Sequence, residues 1–392
     1  MPGPYHRAGT SMRIILTNPR GFCAGVRMAI DVVDRVVDLY READHRDGPA
    51  ERSDAQPVYV YHEIVHNKHV VGRFRGRGVV FVDDLHGVPE GATVVFSAHG
   101  VSPVVRAYAE RRGLTAIDAT CPLVTKVHSE AIRYARQGYQ ILLVGHPDHQ
   151  EVIGTRGEAP DAIQVVESPG DIPRLTIRDP AHLVYLTQTT LSTDDAEVII
   201  DALRRAFPLI KSPPSSDICY ATTNRQHAVR SVAPECDVVL VVGSKNSSNS
   251  VRLTEIARNV GTPAHLLDDA SELRDDWFRA GPGAARRPDA GGPVRADSND
   301  LTVLLTAGAS APEDLVAAIC RELLARYGGT IETRDIFDED VDFAHPAALR
   351  RMMTDRGLDP GDRGVHLGKP TVTRELYGAV PLTISASHAG EA

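Results

Sequence analysis

The chain has 392 residues, 42% hydrophobic and 24% charged, with 43 basic against 52 acidic side chains and a formal net charge of −9. That is an ordinary globular composition, enough for two to four domains of roughly 100–200 residues, each able to bury a core without disulfide staples. A disulfide miniprotein is excluded, and a nucleic-acid partner is argued against by the lack of a clustered basic field.

No apolar run reaches the ~18–20 residues of a membrane span, and the start, Met1 to Arg7, lacks the apolar stretch of a secretory leader. A cytoplasmic chain with no membrane partner is expected. Along it, short β-branched runs alternate with longer amphipathic stretches, the pattern of parallel sheets covered by helices. Strands are predicted at Arg13–Thr17, Val58–Tyr61 and Val94–Ser97, then a helix at Leu123–Arg136 and strands at Ile141–Gly145 and Val184–Thr187. A helix at Asp194–Phe207, a strand at Val238–Gly243, a helix at Ser250–Val260, a strand at Val303–Thr306 and a helix at Pro312–Tyr327 follow, the last with Ser310 as a candidate hydroxyl cap. The fold class is α/β with mainly parallel sheets. Arg41–Pro57 and Ala280–Asp300 read as surface insertions, and the segment beyond about Arg350 as an appended tail without a chemical motif.

Five cysteines are an odd count, which in a reducing compartment favours buried thiols, catalysis or metal over bridges. Cys23, Cys121 and Cys219 are separated by two equal intervals of 98 residues. Other features recur in phase: His149 and Ser247 each lie 28 residues past their cysteine in a polar loop after a strand, and His66 lies 43 past Cys23, the excess matching the charged insertion. A second strand-end loop recurs at Ser97-Ala98-His99-Gly100, Thr187-Gln188-Thr189-Thr190 and Thr306-Ala307-Gly308-Ala309-Ser310. The period suits compact α/β domains, expected at 12–121, 122–217 and 218–349 in a pseudo-threefold arrangement, with an extension at 350–392. The N-terminal strand, about residues 12–22, is a candidate to pack with the third domain. Ligands of open α/β sheets bind beyond the carboxyl ends of the strands, where these loops fall.

Each repeated cysteine sits in a turn beside a helix start, where amides and dipole stabilise thiolate charge. Taken singly, each is read more readily as a core thiol; the in-phase repeat turns the reading to metal. Zinc sites usually gather Cys-x-x-Cys pairs, and none occurs here. A cuboidal 4Fe-4S cluster held by only three thiolates leaves one iron open to substrate. Cys236 and Cys320 have no repeat partner and read as structural. Gly243-Ser244-Lys245-Asn246-Ser247-Ser248-Asn249-Ser250, between a strand and a helix, reads as an anion cradle or a solvated turn, with His66 and His99 as further donors. Glu151, after the His149 loop, is the best proton donor if buried, with Thr189 or Thr190 to relay or position the proton.

Asn18-Pro19-Arg20-Gly21-Phe22-Cys23-Ala24-Gly25-Val26, His62-Glu63-Ile64-Val65-His66-Asn67, Asp118-Ala119-Thr120-Cys121-Pro122 and Asp217-Ile218-Cys219-Tyr220-Ala221-Thr222-Thr223-Asn224-Arg225-Gln226 carry a resemblance over about 12–350. The chain resembles the IspH/LytB family, 4-hydroxy-3-methylbut-2-enyl diphosphate reductases. The resemblance implies the last step of the methylerythritol phosphate route: reductive removal of a hydroxyl from an allylic diphosphate, giving isopentenyl and dimethylallyl diphosphates. It implies one 4Fe-4S cluster per chain on Cys23, Cys121 and Cys219, with one iron open to the substrate hydroxyl. It also implies diphosphate ligands at His66, His99, His149, Ser247, Ser248, Asn249 and Ser310, a proton-delivering Glu151 and a substrate-contacting Thr189. A ferredoxin or flavodoxin-like donor would supply electrons to a monomer or homodimer. Gln150 and Ile153 depart from the proline and glutamate expected there. The alternative is a non-redox 4Fe-4S hydro-lyase acting on a small phosphorylated substrate, separated by dependence on reductant. A redox sensor that does not turn over and a three-cysteine zinc protein are further rivals.

Overall fold

Runs such as Val238–Val242 and Gln140–Val144 are buried at every position, as strands of a parallel sheet covered on both faces require. The computed structural model describes residues 12–46, 57–278, 301–359, 364–370, 372–378 and 382–385. In chain order, β1 (Met12–Asn18) leads into α1 (Ala24–Arg46), β2 (Tyr59–Tyr61), α2 (Lys68–Gly76), β3 (Val80–Val82), β4 (Thr93–Phe96), α3 (Pro103–Arg111) and β5 (Thr115–Asp118). Next come α4 (Pro122–Arg136), β6 (Gln140–Val144), α5 (Gln150–Glu158), β7 (Ile163–Val166), β8 (Leu183–Thr187) and α6 (Thr193–Ala206). Then follow α7 (Tyr220–Val232), β9 (Val238–Val242), α8 (Ser248–Asn259), β10 (Ala264–Leu267), β11 (Leu301–Ala307), α9 (Glu313–Tyr327) and β12 (Thr330–Asp335). The last elements are β13 (Val341–Phe343), α10 (Ala347–Asp355), β14 (Val365–Leu367), α11 (Arg374–Tyr377) and β15 (Leu382–Ser385).

The chain forms two compact units, one of Cys23–Cys219 with Val341–Leu367, the other of Met1–Phe22, Tyr220–Asp340 and Gly368–Ala392. The first unit holds two parallel sheets, ordered β3-β2-β4-β5 and β7-β6-β8, and the antiparallel pair β13–β14. Val94, Phe96 and Val101 centre the core of one sheet, and Ile141, Leu143 and Leu186 that of the other. The second unit holds the parallel sheet β10-β9-β11-β1-β12-β15. Alternation along β1 sends Ile14 and Leu16 to the face under α9 and Ile15 to the opposite face, with Val229, Leu253 and Ile256. One local order occurs three times: the strand after each cysteine-led helix is central, flanked by the next two strands in sequence.

Three expectations are corrected here. α1 continues to Arg46, through the start of the insertion expected at Arg41–Pro57, because Arg, Glu and Ala are strong helix formers and charge alone does not mark a loop. Residues 47–56 and 279–300, which hold the rest of both expected insertions, lie outside the described residues. Ser310 does not cap α9: Pro312 occupies that position, and the Ser310 hydroxyl donates instead to Ser247 Oγ at 3.3 Å. Finally, the described parts of the tail are built into the two units. β15 pairs with β12, Tyr377 of α11 is buried in the core under α9, and β14 pairs with β13, which lies just before the tail, and packs on α1.

Candidate functional site

The three repeated cysteines all fall in the first unit, and each immediately precedes a helix: α1 begins at Ala24, α4 at Pro122 and α7 at Tyr220. None is in a disulfide, and all three are half-buried. The amide of Val26 donates to Cys23 Sγ at 3.5 Å, and amides of Leu123 and Val124 favour the Cys121 thiolate. Backbone bonds anchor the other loops, from Cys121 N–H to Ala98 O and from Cys219 N–H to Thr189 O, both 3.0 Å. Gly25 has to be glycine: a Cβ there would lie 2.5 Å from Cys121 Sγ. Desolvation pushes the Cys121 thiol well above the ordinary range, and the nearby Cys23 and Cys219 add to this by like-charge repulsion.

These features fit an iron–sulfur cluster. Gathered thiolates repel one another, and a cationic cluster supplies the charge that offsets this. Among the described residues, no three His, Cys, Asp or Glu side chains close on a point as a single ion would require. A polynuclear cage takes thiolates set further apart. Cys320 is buried in the core of α9, and Cys236 donates to Val232 O at 3.4 Å, so both are structural thiols.

Three histidines from separate loops meet in the same unit. The His66 and His99 rings stack with centroids 4.1 Å apart, and His149 stands edge-on to both at 5.7 and 5.9 Å. His149 is the N-cap of α5, its Nδ1 accepting from the Glu151 amide at 3.2 Å. That bond leaves Nε2 to carry the proton and act as donor. Burial, then repulsion from His66, holds the His149 imidazole down at about 4, and the same causes hold His99 well below its ordinary value. Near neutral pH both are therefore uncharged N–H donors.

Glu151 lies in the first turn of α5 and is only 2% exposed. Its carboxylate accepts from the Thr189 amide at 2.6 Å on Oε1 and from the Thr189 hydroxyl at 2.9 Å on Oε2. Desolvation raises its pKa to about 7 although both Thr189 bonds oppose the rise, and the charge of Asp217 adds to it. A carboxylic acid so poised can give up a proton near neutral pH.

Sequence reasoning passed over Asp217 and Gln188. Asp217, buried two residues before Cys219, accepts from Thr187 N–H at 3.0 Å and pairs with Lys126 at 3.1 Å, which fixes the strand end beside Thr189. Gln188 accepts from the His146 amide at 3.1 Å and donates to Thr190 Oγ1 at 2.9 Å. The readable signal was an aspartate shortly before Cys121 and again before Cys219.

The second unit carries the serine-rich loop. Ser247 caps α8 and accepts from the Ser250 amide at 3.4 Å, the Ser250 hydroxyl at 3.0 Å and the Ser310 hydroxyl at 3.3 Å. Gly243 and Gly308 close around this knot; a Cβ on either would lie within 2.1 Å of Ser250 Oγ. Asn249 Oδ1 accepts from the Ala309 amide at 3.0 Å, while its buried Nδ2 has no partner. Ser248 is the first residue of α8. The structure thus gathers Cys23, Cys121, Cys219, His66, His99, His149, Glu151 and Thr189 in the first unit, and Ser247, Ser248, Asn249 and Ser310 in the second.

The LytB protein family model matches residues 14–324. The chain belongs to the LytB family. A LytB relative named 4-hydroxy-3-methylbut-2-enyl diphosphate reductase, from Rhodopirellula baltica, is 50% identical over 341 residues, 87% of this chain and 97% of its own length. One from Mycobacterium sp. strain KMS, with the same name, is 47% identical over 86% of this chain and 92% of its own. The solved structure of the E-1-hydroxy-2-methyl-but-2-enyl-4-diphosphate reductase from Plasmodium falciparum superposes with a TM-score of 0.77 at 35% identity, covering 89% of this chain and 99% of its own. A second solved reductase, described as the terminal enzyme of the non-mevalonate pathway, gives 0.53 at 29% identity and covers 80% and 99%. Within the LytB fold, Gln150 is the first residue of α5, a position that proline also suits, and Ile153 is 46% exposed, so neither departure disturbs Glu151.

Proposed function

We propose that this chain converts 4-hydroxy-3-methylbut-2-enyl diphosphate to isopentenyl and dimethylallyl diphosphates by reductive dehydroxylation, the last step of the methylerythritol phosphate route. The observation that carries the reading is the buried Glu151–Thr189 pair, poised near pH 7, in the unit that collects three unbridged, helix-led cysteines. Names of relatives up to 50% identical over nearly their whole length point the same way.

A 4Fe-4S cluster on Cys23, Cys121 and Cys219, when bound, supplies a Lewis-acidic open iron and passes electrons singly from a ferredoxin or flavodoxin-like donor. Glu151 gives the proton with which the substrate hydroxyl departs as water, and the Thr189 hydroxyl holds that carboxyl in place. His66 and the neutral His99 and His149 of the first unit, and Ser247, Ser248, Asn249 and Ser310 of the second, are the proposed N–H and O–H donors to the diphosphate. The bound diphosphate then protonates the allylic fragment at either end, which accounts for two products. Among the described residues, no helix is long and apolar enough to cross a membrane, and we place the reaction in the cytoplasm.

Anaerobic purification, a visible spectrum before and after dithionite, and addition of the diphosphate with product analysis test the reading. A brown protein bleached by dithionite that yields both C5 diphosphates supports it. A colourless protein, or conversion independent of reductant, overturns it.

Asn249 offers a narrower check. Hydrogen bonds to charged groups contribute roughly 1.5–3 kcal/mol, so Asn249→Ala is expected to raise KM by roughly 10–100-fold with kcat little changed. Steady-state kinetics with a chemical reductant measures this.

A further inference from the structure

Arg225, in α7, is 1% exposed, and every donor nitrogen of its guanidinium is engaged within the second unit. Nε and Nη2 donate to Gly21 O at 3.1 and 2.9 Å, and Nη2 reaches Phe22 O at 3.4 Å. Nη1 donates to Ala221 O at 3.0 Å and to the two Glu339 carboxylate oxygens at 3.1 and 3.3 Å. Asn224 Nδ2 adds a bond to Glu339 at 3.1 Å. These partners are not scattered along the chain. The chain passes between the compact units at Phe22–Cys23, Cys219–Tyr220, Asp340–Val341 and Leu367–Gly368, and Arg225 grips the backbone or side chain beside the first three of these four points. Cys23 and Cys219 flank two of these points.

The turn before Cys23 is shaped for this grip. Gly21 has φ +64°, in the left-handed region, and a Cβ there would meet Ala311 O at 3.0 Å. Its amide donates to Ala307 O at 3.1 Å, so its carbonyl is held toward the guanidinium. Exchanging a buried ion pair for apolar groups is often neutral or stabilising, so a pair like Arg225–Glu339 is poorly explained by stability alone and better by the geometry it specifies.

We propose that Arg225, oriented by Glu339, is a positioning residue that fixes the backbone next to Cys23 and Cys219 and so presets these two cysteines as cluster ligands. The proposal rests on the cluster reading above. Lysine keeps the charge but not the planar fork, and its three donors at one point cannot satisfy the whole set.

Arg225→Lys and Glu339→Gln, purified anaerobically with their cluster, are compared with wild type for three properties: the rate of iron release to a chelator, the electron paramagnetic resonance spectrum of the reduced cluster, and the urea unfolding midpoint. Arg225→Lys is expected to release iron roughly ten-fold faster, as for loss of one charge-assisted hydrogen bond, with an altered spectrum; Glu339→Gln is expected to fall between it and wild type. If Arg225→Lys fails to fold, Glu339→Gln alone decides. Wild-type release and spectrum in the folded variants overturn the proposal, as does faster release that only tracks a lowered unfolding midpoint. Wild-type protein that holds no iron overturns the cluster reading itself, before any variant is compared.

Discussion

Glu151→Gln is expected to lose most turnover, by roughly 100-fold or more, while iron content and the spectrum of the cluster stay as in wild type. The amide keeps the size of the side chain and an acceptor for Thr189 but has no proton to give. The wild-type rate should carry the same signature: with Glu151 poised at about 7, its acid form is depleted as pH rises, and kcat should fall on the alkaline side. Stability should fall in the same direction. Burial raises this pKa above the unfolded value, so ionising Glu151 opposes folding, with no penalty at acid pH and the full penalty above about pH 7. Removing the ionisable group should therefore make Glu151→Gln more stable than wild type at pH 8 by roughly 1–2 kcal/mol, after the loss of one Thr189 bond. Denaturation at pH 5 and pH 8, alongside turnover, checks both halves. Near-normal activity in the variant would remove Glu151 from the role of proton donor.

Cys121→Ser is expected to reduce bound iron by roughly ten-fold or more and to leave the anaerobically purified protein nearly colourless. Of the three cysteines, Cys121 has the clearest surroundings: amides of Leu123 and Val124 favour its thiolate, and Gly25 lies hard against its sulfur. A serine oxygen is a harder and more basic donor that cannot reproduce thiolate bonding to iron. The variant should still fold, since the helix-start geometry and the Cys121 amide bond to Ala98 O are kept. Iron determination and circular dichroism on one preparation separate loss of the cluster from loss of the fold. Wild-type iron in this variant would rule Cys121 out as a ligand.

Much of this was legible because the same solution is written three times. Equal spacing of Cys23, Cys121 and Cys219, each leading a helix, followed by polar loops at strand ends, is a pattern that survives divergence of the intervening sequence. The same periodicity places His66, His99 and His149 in polar loops at strand ends, the donor role of His149 being implied by the family resemblance, and the structure brings their rings together. Asp217 left only its place shortly before Cys219 to be read, and Arg225 left nothing: a charged residue in a helix or turn usually faces water, and only the tertiary fold shows both buried with their charges answered. The tail was misread for a different reason. Strands as short as β14 and β15 give no periodicity to read, and their place is set by the backbone edges and helix faces they meet.

The pairing of β15 with β12 has a practical consequence. Without its last strand the six-stranded sheet would end in a row of unpaired amides and carbonyls, a template on which another copy could add. Shortening the chain before Leu382 would thus trade a covered border for a sticky one, and preparations trimmed there should self-associate.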